Sequence, residues 1–216
     1  MYRKFDEFIV NLKSALLKPL PGLQSQLKLA PVHRIDELQQ DVPNDAIESS
    51  VLILLFPFED KIQTCVILRT EYDGVHSGQI SLPGGRKEVA DADHSVTALR
   101  ETREEIGVDE SRVTLLGPLS ALYINRSNYV VFPYVGYTSS RPTFTPEPGE
   151  VQAVIELDIE EFLKPGAITH KMLHFENGFS LEAPGYQFEK RFIWGATAMI
   201  FSEFIDIISS FAEYSR

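Results

Sequence analysis

The chain is short of cysteine, of basic residues and of long apolar runs. Cys65 is the only cysteine in 216 residues, which excludes a disulfide framework and any thiolate-rich metal site and fits a reducing compartment. Twenty Lys and Arg stand against thirty-one Asp and Glu, a net charge of -11. Such a chain has no bulk attraction for nucleic acid or an anionic membrane, so no nucleic acid and no membrane partner is expected. An anionic small substrate then needs local positive charge or a metal ion. The longest apolar run, Val51 to Phe58, falls far short of the ~20 residues of a membrane span. The opening MYRKFDEFIVNLK is too charged for a signal peptide. The expectation is a soluble, cytoplasmic protein.

What is present suits one globular domain, with 44% apolar residues. Phe5, Phe8, Ile9, Leu12, Leu16 and Leu17 recur at helical spacing and predict an amphipathic helix over 2–17. Residues 19–34, broken by Pro and Gly, read as an extended arm, and a polar link ends near Asp45. Residues 1–45 hold too few apolar side chains for their own core and are expected to pack on a body formed by 46–216. That body opens with a continuous apolar run over 50–57, the pattern of a strand buried on both faces. Further strands are predicted over 62–68, 113–124, 129–138 and 151–157, with a short one at 80–83. A hairpin-like stretch runs to Phe192, and a last helix spans Thr197 to about Phe211. Cys65 and the stripe Trp194, Met199, Phe201 and Phe204 read as core. The fold class is α/β (α+β), a mixed β-sheet between helices.

The informative segment is Gly84 to Val108. Asp93 is suited to cap a helix that Gly107 ends. At 100° per residue Val96, Leu99 and Ile106 share one face, expected against the sheet, while Glu101, Glu104 and Glu105 share the opposite one below the small Ala98. These glutamates occupy the last two turns, where the helix dipole disfavours each by ~0.3–1 kcal/mol, and Glu101 and Glu105 repel at i, i+4. One reading is a solvated charged face in which Arg100 pairs with Glu104. The other is a hard divalent cation, Mg²⁺ or Mn²⁺, which all-oxygen ligation selects. Before the helix lies Pro83-Gly84-Gly85, where backbone approaches a ligand closely, followed by Arg86 and Lys87, suited to phosphate oxygens. Glycine loop, helix and clustered carboxylates together suit metal-assisted attack on a diphosphate.

Gly85, Asp91, Arg100, Glu101, Glu104, Glu105 and Gly107 resemble the Nudix box, whose core is Gly, a spacer, an acidic residue, then Arg-Glu-x-x-Glu-Glu-x-Gly. With residue frequencies near ~6%, the five positions from Arg100 to Gly107 match by chance in roughly one chain in ten thousand. Asp91 stands where Glu is usual, the spacer to Arg100 is one residue longer, and Thr102 replaces a bulky aliphatic. The Asp and the longer spacer are similar to the coenzyme A pyrophosphatase branch of the family. So are Arg69, His76, Gly78, Gln79, Pro83, Gly84 and Gly85, although Gly74 stands where that branch carries a second Arg.

The resemblance implies a Nudix-type α/β/α sandwich and a divalent-metal-dependent hydrolase of a small-molecule nucleotide. Coenzyme A or acyl-coenzyme A is the first substrate implied, cut to 3′,5′-ADP and (acyl-)4′-phosphopantetheine. ADP-ribose or an NADH-type dinucleotide is the alternative that Gly74 raises, and a non-catalytic nucleotide-sensing module is a third. By resemblance Glu101, Glu104, Glu105 and the Gly85 carbonyl hold Mg²⁺ or Mn²⁺, Glu104 and Glu105 take part in catalysis, and Arg100 holds a glutamate in place. Glu150 is either a general base or a loop carboxylate in solvent. Arg69, His76, Gly78 and Arg86 are the substrate-binding candidates, His76 being equally suited to fix its loop. His33, His94, His170 and His174 show no ligand spacing. A homodimer is compatible with the family.

Overall fold

The computed structural model describes residues 3–38, 41–70, 79–175 and 178–212. Strand β1 (Ile47–Phe58) organises the rest. Leu52, Leu54 and Phe56 are fully buried in one apolar cluster, Ile53 and Leu55 in another. Alternate side chains of a strand point to opposite faces, so this unbroken run requires an apolar layer on each side. After a two-residue turn β2 (Lys61–Arg69) returns antiparallel. Glu59 and Asp60 in that turn have φ of 48° and 59°, the mirror-type geometry whose twist matches paired strands.

On the other flank β7 (Tyr129–Tyr137) runs parallel to β1, and β5 (Thr114–Pro118) and β6 (Leu122–Ile124) pair antiparallel with β7. Strands β3 (Ile80–Ser81) and β8 (Val151–Asp158) pair with β2, and β4 (Gly84–Arg86) pairs with the start of β1. The result is a mixed eight-stranded sheet. Helix α4 (His94–Ile106) covers one face through Ala98 and Ile106. Helices α1 (Arg3–Leu16) and α6 (Gly195–Ala212) cover the other through Phe5, Leu12, Met199, Phe201 and Phe204. Each such side chain contributes about 1.5–3 kcal/mol on burial. The mixed sheet between helices is as expected, and Cys65 is buried within it. A short α5 (Ile159–Phe162) follows β8. Then β9 (Ile168–His174), β10 (Ser180–Phe188) and β11 (Arg191–Trp194) form a separate antiparallel sheet.

Three expectations need correction. The strand expected over 113–124 is two, β5 and β6: the pairing with β7 shifts register between Leu115 and Gly117, and Pro118, with no N–H to donate, ends the ladder. The arm expected to be extended winds into α2 (Leu23–Gln26), 3₁₀ turns Leu27–Leu29 and Val32–Arg34, and α3 (Ile35–Leu38). Its turns are tied to α6. Fully buried Glu203 accepts bonds from the Gly22 N–H at 3.1 Å, Gln26 Nε2 at 3.1 Å and the Ser120 N–H, while Ser25 Oγ and Lys28 Nζ donate to Asp206.

The third concerns α4. Thr97, Ala98, Thr102, Glu105 and Ile106 are buried, so the helix is turned by about one residue from the face expected, roughly 100°. Of the face expected, Ile106 is buried and Leu99 packs against the same cluster, while Val96 is only half-buried. The threonines are tolerated inside because their hydroxyls are satisfied, Thr97 by Asp91 at 2.9 Å and Thr102 by the Ala98 carbonyl at 2.7 Å.

Candidate active site

The turned helix carries Glu105 inward, to 2% exposure, while Glu104 stays outside at 48%. Glu105 Oε2 accepts the Gly84 N–H at 2.8 Å, and Oε1 lies 3.4 Å from Arg69 Nη1. Glu101, one turn earlier, lies against Gly85: a Cβ there would fall 2.5 Å from the Glu101 carboxyl. Gly84 is equally constrained, since its φ is 150° and a Cβ would meet the Ser50 carbonyl at 2.2 Å. The two glycines thus let β4 pair with β1 while the glutamates approach its backbone. Burial pushes the Glu105 carboxyl up to about 7; Gly84 and Arg69 oppose the rise, and the Glu101 and Glu150 charges add to it. Glu101 is raised as well, first by burial, with Glu104 and Glu150 contributing.

Arg100 braces this helix. Its Nε and Nη2 reach both oxygens of Asp91 at 3.0 Å, and Nη2 also donates to the Arg86 carbonyl at 3.0 Å. Nη1 donates to Glu101 and Glu104 at 2.9 Å each. Arg103 holds the other oxygen of Glu104 at 3.0 Å. The pairing of Arg100 with Glu104 weighed from the sequence is therefore present, but inside a wider network. Among the described residues no three His, Cys, Asp or Glu side chains form a ready metal cage. The donor set nevertheless suits a hard cation: all its atoms are oxygens, and burial and like charge already strain the ionised form of Glu101 and Glu105.

The Pro-rich loop docks on the helix end. The Thr145 N–H donates to the Ile106 carbonyl and the Glu147 N–H to the Glu105 carbonyl, both at 2.9 Å, satisfying carbonyls that a helix terminus leaves open. Thr70 N–H then donates to the Glu150 carbonyl at 3.0 Å, fixing Glu150 beside the two glutamates. All three line a cavity of about 800 Å³, with Arg69, Gly85 and Arg86 on its walls. His76 and Gly78 lie outside the described residues, as does Gly74.

Sequence reasoning missed several lining residues: Arg34, Glu37, Arg126 and Tyr129. It also assigned Trp194 to the core, whereas Trp194 is half-buried on the cavity wall while Met199, Phe201 and Phe204 are core. The break is legible in hindsight: Gly195 has φ of 63° and starts α6, so Trp194 ends a strand and does not share the helical stripe.

Comparison with known proteins agrees with this architecture. Two relatives from Arabidopsis thaliana, "Nudix hydrolase 22, chloroplastic" and "Nudix hydrolase 15, mitochondrial", are 39% and 38% identical over 120 and 119 residues, 54% of this chain in each case. The chain spans about two fifths of their length, 39% and 41%. Their names give organelles, so the cytoplasmic expectation finds no support there; among the described residues no helix is long and apolar enough to cross a membrane. The uncharacterized Nudix hydrolase NudL of Yersinia enterocolitica is 30% identical over 167 residues, 76% of this chain and 85% of that protein. A Caenorhabditis elegans Ap4A hydrolase shares the fold, with a TM-score of 0.50 at 13% identity over 78% of this chain and 96% of that one. The NUDIX domain model matches residues 47–175, from the first residue of β1 to just beyond β9. With all eight strands of the main sheet and the whole of the glutamate helix inside that match, this chain belongs to the NUDIX domain family.

Proposed function

We propose that this chain is a divalent-metal-dependent hydrolase of a nucleoside diphosphate linked to another moiety, with coenzyme A or acyl-coenzyme A as first substrate. The observation that carries the reading is Glu105, a buried carboxylate set beside Glu101 and Glu150 at a cavity that also presents arginines. Glu101, Glu104, Glu105 and the Gly85 carbonyl would hold Mg²⁺ or Mn²⁺, which supplies charge neutralisation at the diphosphate and acidifies water. Arg100 keeps Glu101 and Glu104 in reach of that position, a supporting role beyond the donors themselves. Arg69, whose Nε is buried with no hydrogen-bond partner among the described residues, and exposed Arg86 receive phosphate oxygens. His76 and Gly78 belong to the same substrate-binding proposal. Glu150 accepts the proton of the attacking water from outside the helix.

Gly74, in place of the branch arginine, favours ADP-ribose or an NADH-type dinucleotide as the second reading. Incubation with each compound and Mg²⁺, followed by chromatographic separation of products, decides. Release of 3′,5′-ADP from coenzyme A at the highest catalytic efficiency supports the first reading, and faster cleavage of ADP-ribose or NADH selects the second. No turnover of any diphosphate compound overturns the hydrolase.

A further inference from the structure

The cavity wall opposite in sequence to the glutamate helix is built by the N-terminal turns, which contribute Pro31, Arg34 and Glu37. Arg34 is 14% exposed, and its Nε lies 3.7 Å from Glu37 Oε2, beyond hydrogen-bond reach. Both Nε and Nη2 are buried with no hydrogen-bond partner among the described residues. Burial disfavours its charge more than Glu37 restores it. A guanidinium with two buried, unused nitrogens and only a long ion pair to Glu37 is an unfavourable arrangement unless a closer acceptor arrives. The group that fits its planar fork with two parallel bonds is an oxyanion.

Other features of the wall point the same way. Exposed Arg126, on the 3₁₀ turn Asn125–Ser127 that follows β6, lines the cavity too, and α3 packs against β6, which brings the two segments together. Four of the chain's eleven arginines (Arg34, Arg69, Arg86 and Arg126) line this cavity, and none of its lysines does among the described residues. Arg69 and Arg86 stand with the glutamate cluster and the glycine strand. Arg34 and Arg126 belong to different elements and are left over once the diphosphate is served. Arg34 also precedes the residues matched by the NUDIX domain model, so it is a feature added to the domain. The turns just before it in the chain are tied to α6, where Glu203 accepts from Gly22 and Gln26 and Asp206 from Lys28.

We infer that Arg34 recognises a second phosphate of the substrate, separate from the diphosphate that is cut. The substrate class is then a nucleoside diphosphate derivative with an additional phosphate on one of its ends. The identity of the cavity's occupant rests on the hydrolase reading above; the demand of Arg34 for an oxyanion does not.

Calorimetric binding of 3′,5′-ADP and of AMP, which differ by one phosphate, tests this in buffer free of divalent metal. The full chain is compared with Arg34→Met, which keeps the apolar stem, and Arg34→Lys, which keeps the charge but loses the fork. The wild type is expected to bind 3′,5′-ADP at least about tenfold more tightly than AMP, the effect of one charge-assisted contact. Arg34→Met is expected to bring that ratio close to one, and Arg34→Lys to retain part of it. No preference in the wild type, or an unchanged ratio in Arg34→Met, overturns the assignment. Turnover of coenzyme A and dephospho-coenzyme A then separates the two layers. A rise in KM confined to coenzyme A in Arg34→Met supports the role, and equal losses on both compounds contradict it. Preferential binding without any hydrolysis refutes the enzyme and leaves the recognition by Arg34 standing.

Discussion

Replacing Asp91 by Asn perturbs the brace that holds the glutamate helix. Asp91 is 6% exposed and accepts four bonds: Arg100 Nε and Nη2 at 3.0 Å, Thr97 Oγ1 at 2.9 Å and the Glu88 N–H at 2.9 Å. An amide in its place turns an NH₂ toward one set of donors and removes the charge facing Arg100, which is itself only 13% exposed. Removing one partner of a buried ion pair costs about 3–5 kcal/mol. Arg100 keeps Glu101, Glu104 and the Arg86 carbonyl, so the lower end, about 3 kcal/mol, is expected. For a chain of this length that corresponds to a fall in melting temperature of about 6–12 °C.

The effect carries a pH signature. Bonds from Arg100, ahead of those from Glu88 and Thr97, hold the Asp91 carboxyl well below the usual carboxylate range despite its burial. An acid with a depressed folded-state pKa stabilises the fold above its unfolded value of about 3.9 and loses that contribution as pH falls through the folded value. The gap between wild type and Asp91→Asn is therefore complete at pH 7 and narrows below about pH 4. Urea unfolding at pH 7 and pH 3 measures both. A gap under about 0.5 kcal/mol at pH 7, the range of an ordinary surface substitution, refutes the reasoning, as does a gap that widens in acid.

Two other substitutions separate site from scaffold. Gly85→Ala places a Cβ against the movable Glu101 carboxyl, so the melting temperature is expected to hold within a few degrees while hydrolysis falls about 10–100-fold; unchanged hydrolysis contradicts the close approach. Glu203→Ala strands the donors of Gly22, Gln26 and Ser120 and is expected to cost about 2–4 kcal/mol in chemical unfolding, whereas a near-neutral result removes the role given to α6 in fixing the N-terminal turns.

Much of the sheet was readable because one strand carried its own proof. The unbroken apolar run in β1 has no stable arrangement other than burial on both faces, and Asp93 and Gly107 bracket α4 through cap geometry that depends on only a few residues. Asp93 does accept the Ser95 and Val96 N–H groups, and Gly107 does adopt φ of 72°. The rotation of α4 was not readable, because hydrophobicity ranks Val96 above Thr102 and says nothing of hydroxyls satisfied by a neighbouring carbonyl or carboxylate. The same blindness hid the network around Asp91, which the box pattern marks as a position without giving it a partner. The N-terminal turns were misjudged for a related reason: their order comes from Glu203 and Asp206, about 180 residues away in sequence, and no local pattern encodes such a contact. Arg34 escaped notice because a lone arginine in a Pro-broken segment looks like solvated charge until a cavity is seen to close around it.

The proposed centre depends on Glu101 and Glu105 holding a divalent cation. Titration of Mn²⁺ followed by electron paramagnetic resonance measures this without any choice of substrate. The wild type is predicted to quench the free-ion signal stoichiometrically, Glu105→Gln and Glu101→Gln to weaken that binding by about 10-fold or more, and Glu150→Gln to retain it. Equal quenching by wild type and Glu105→Gln, or none by the wild type, would contradict the proposed centre.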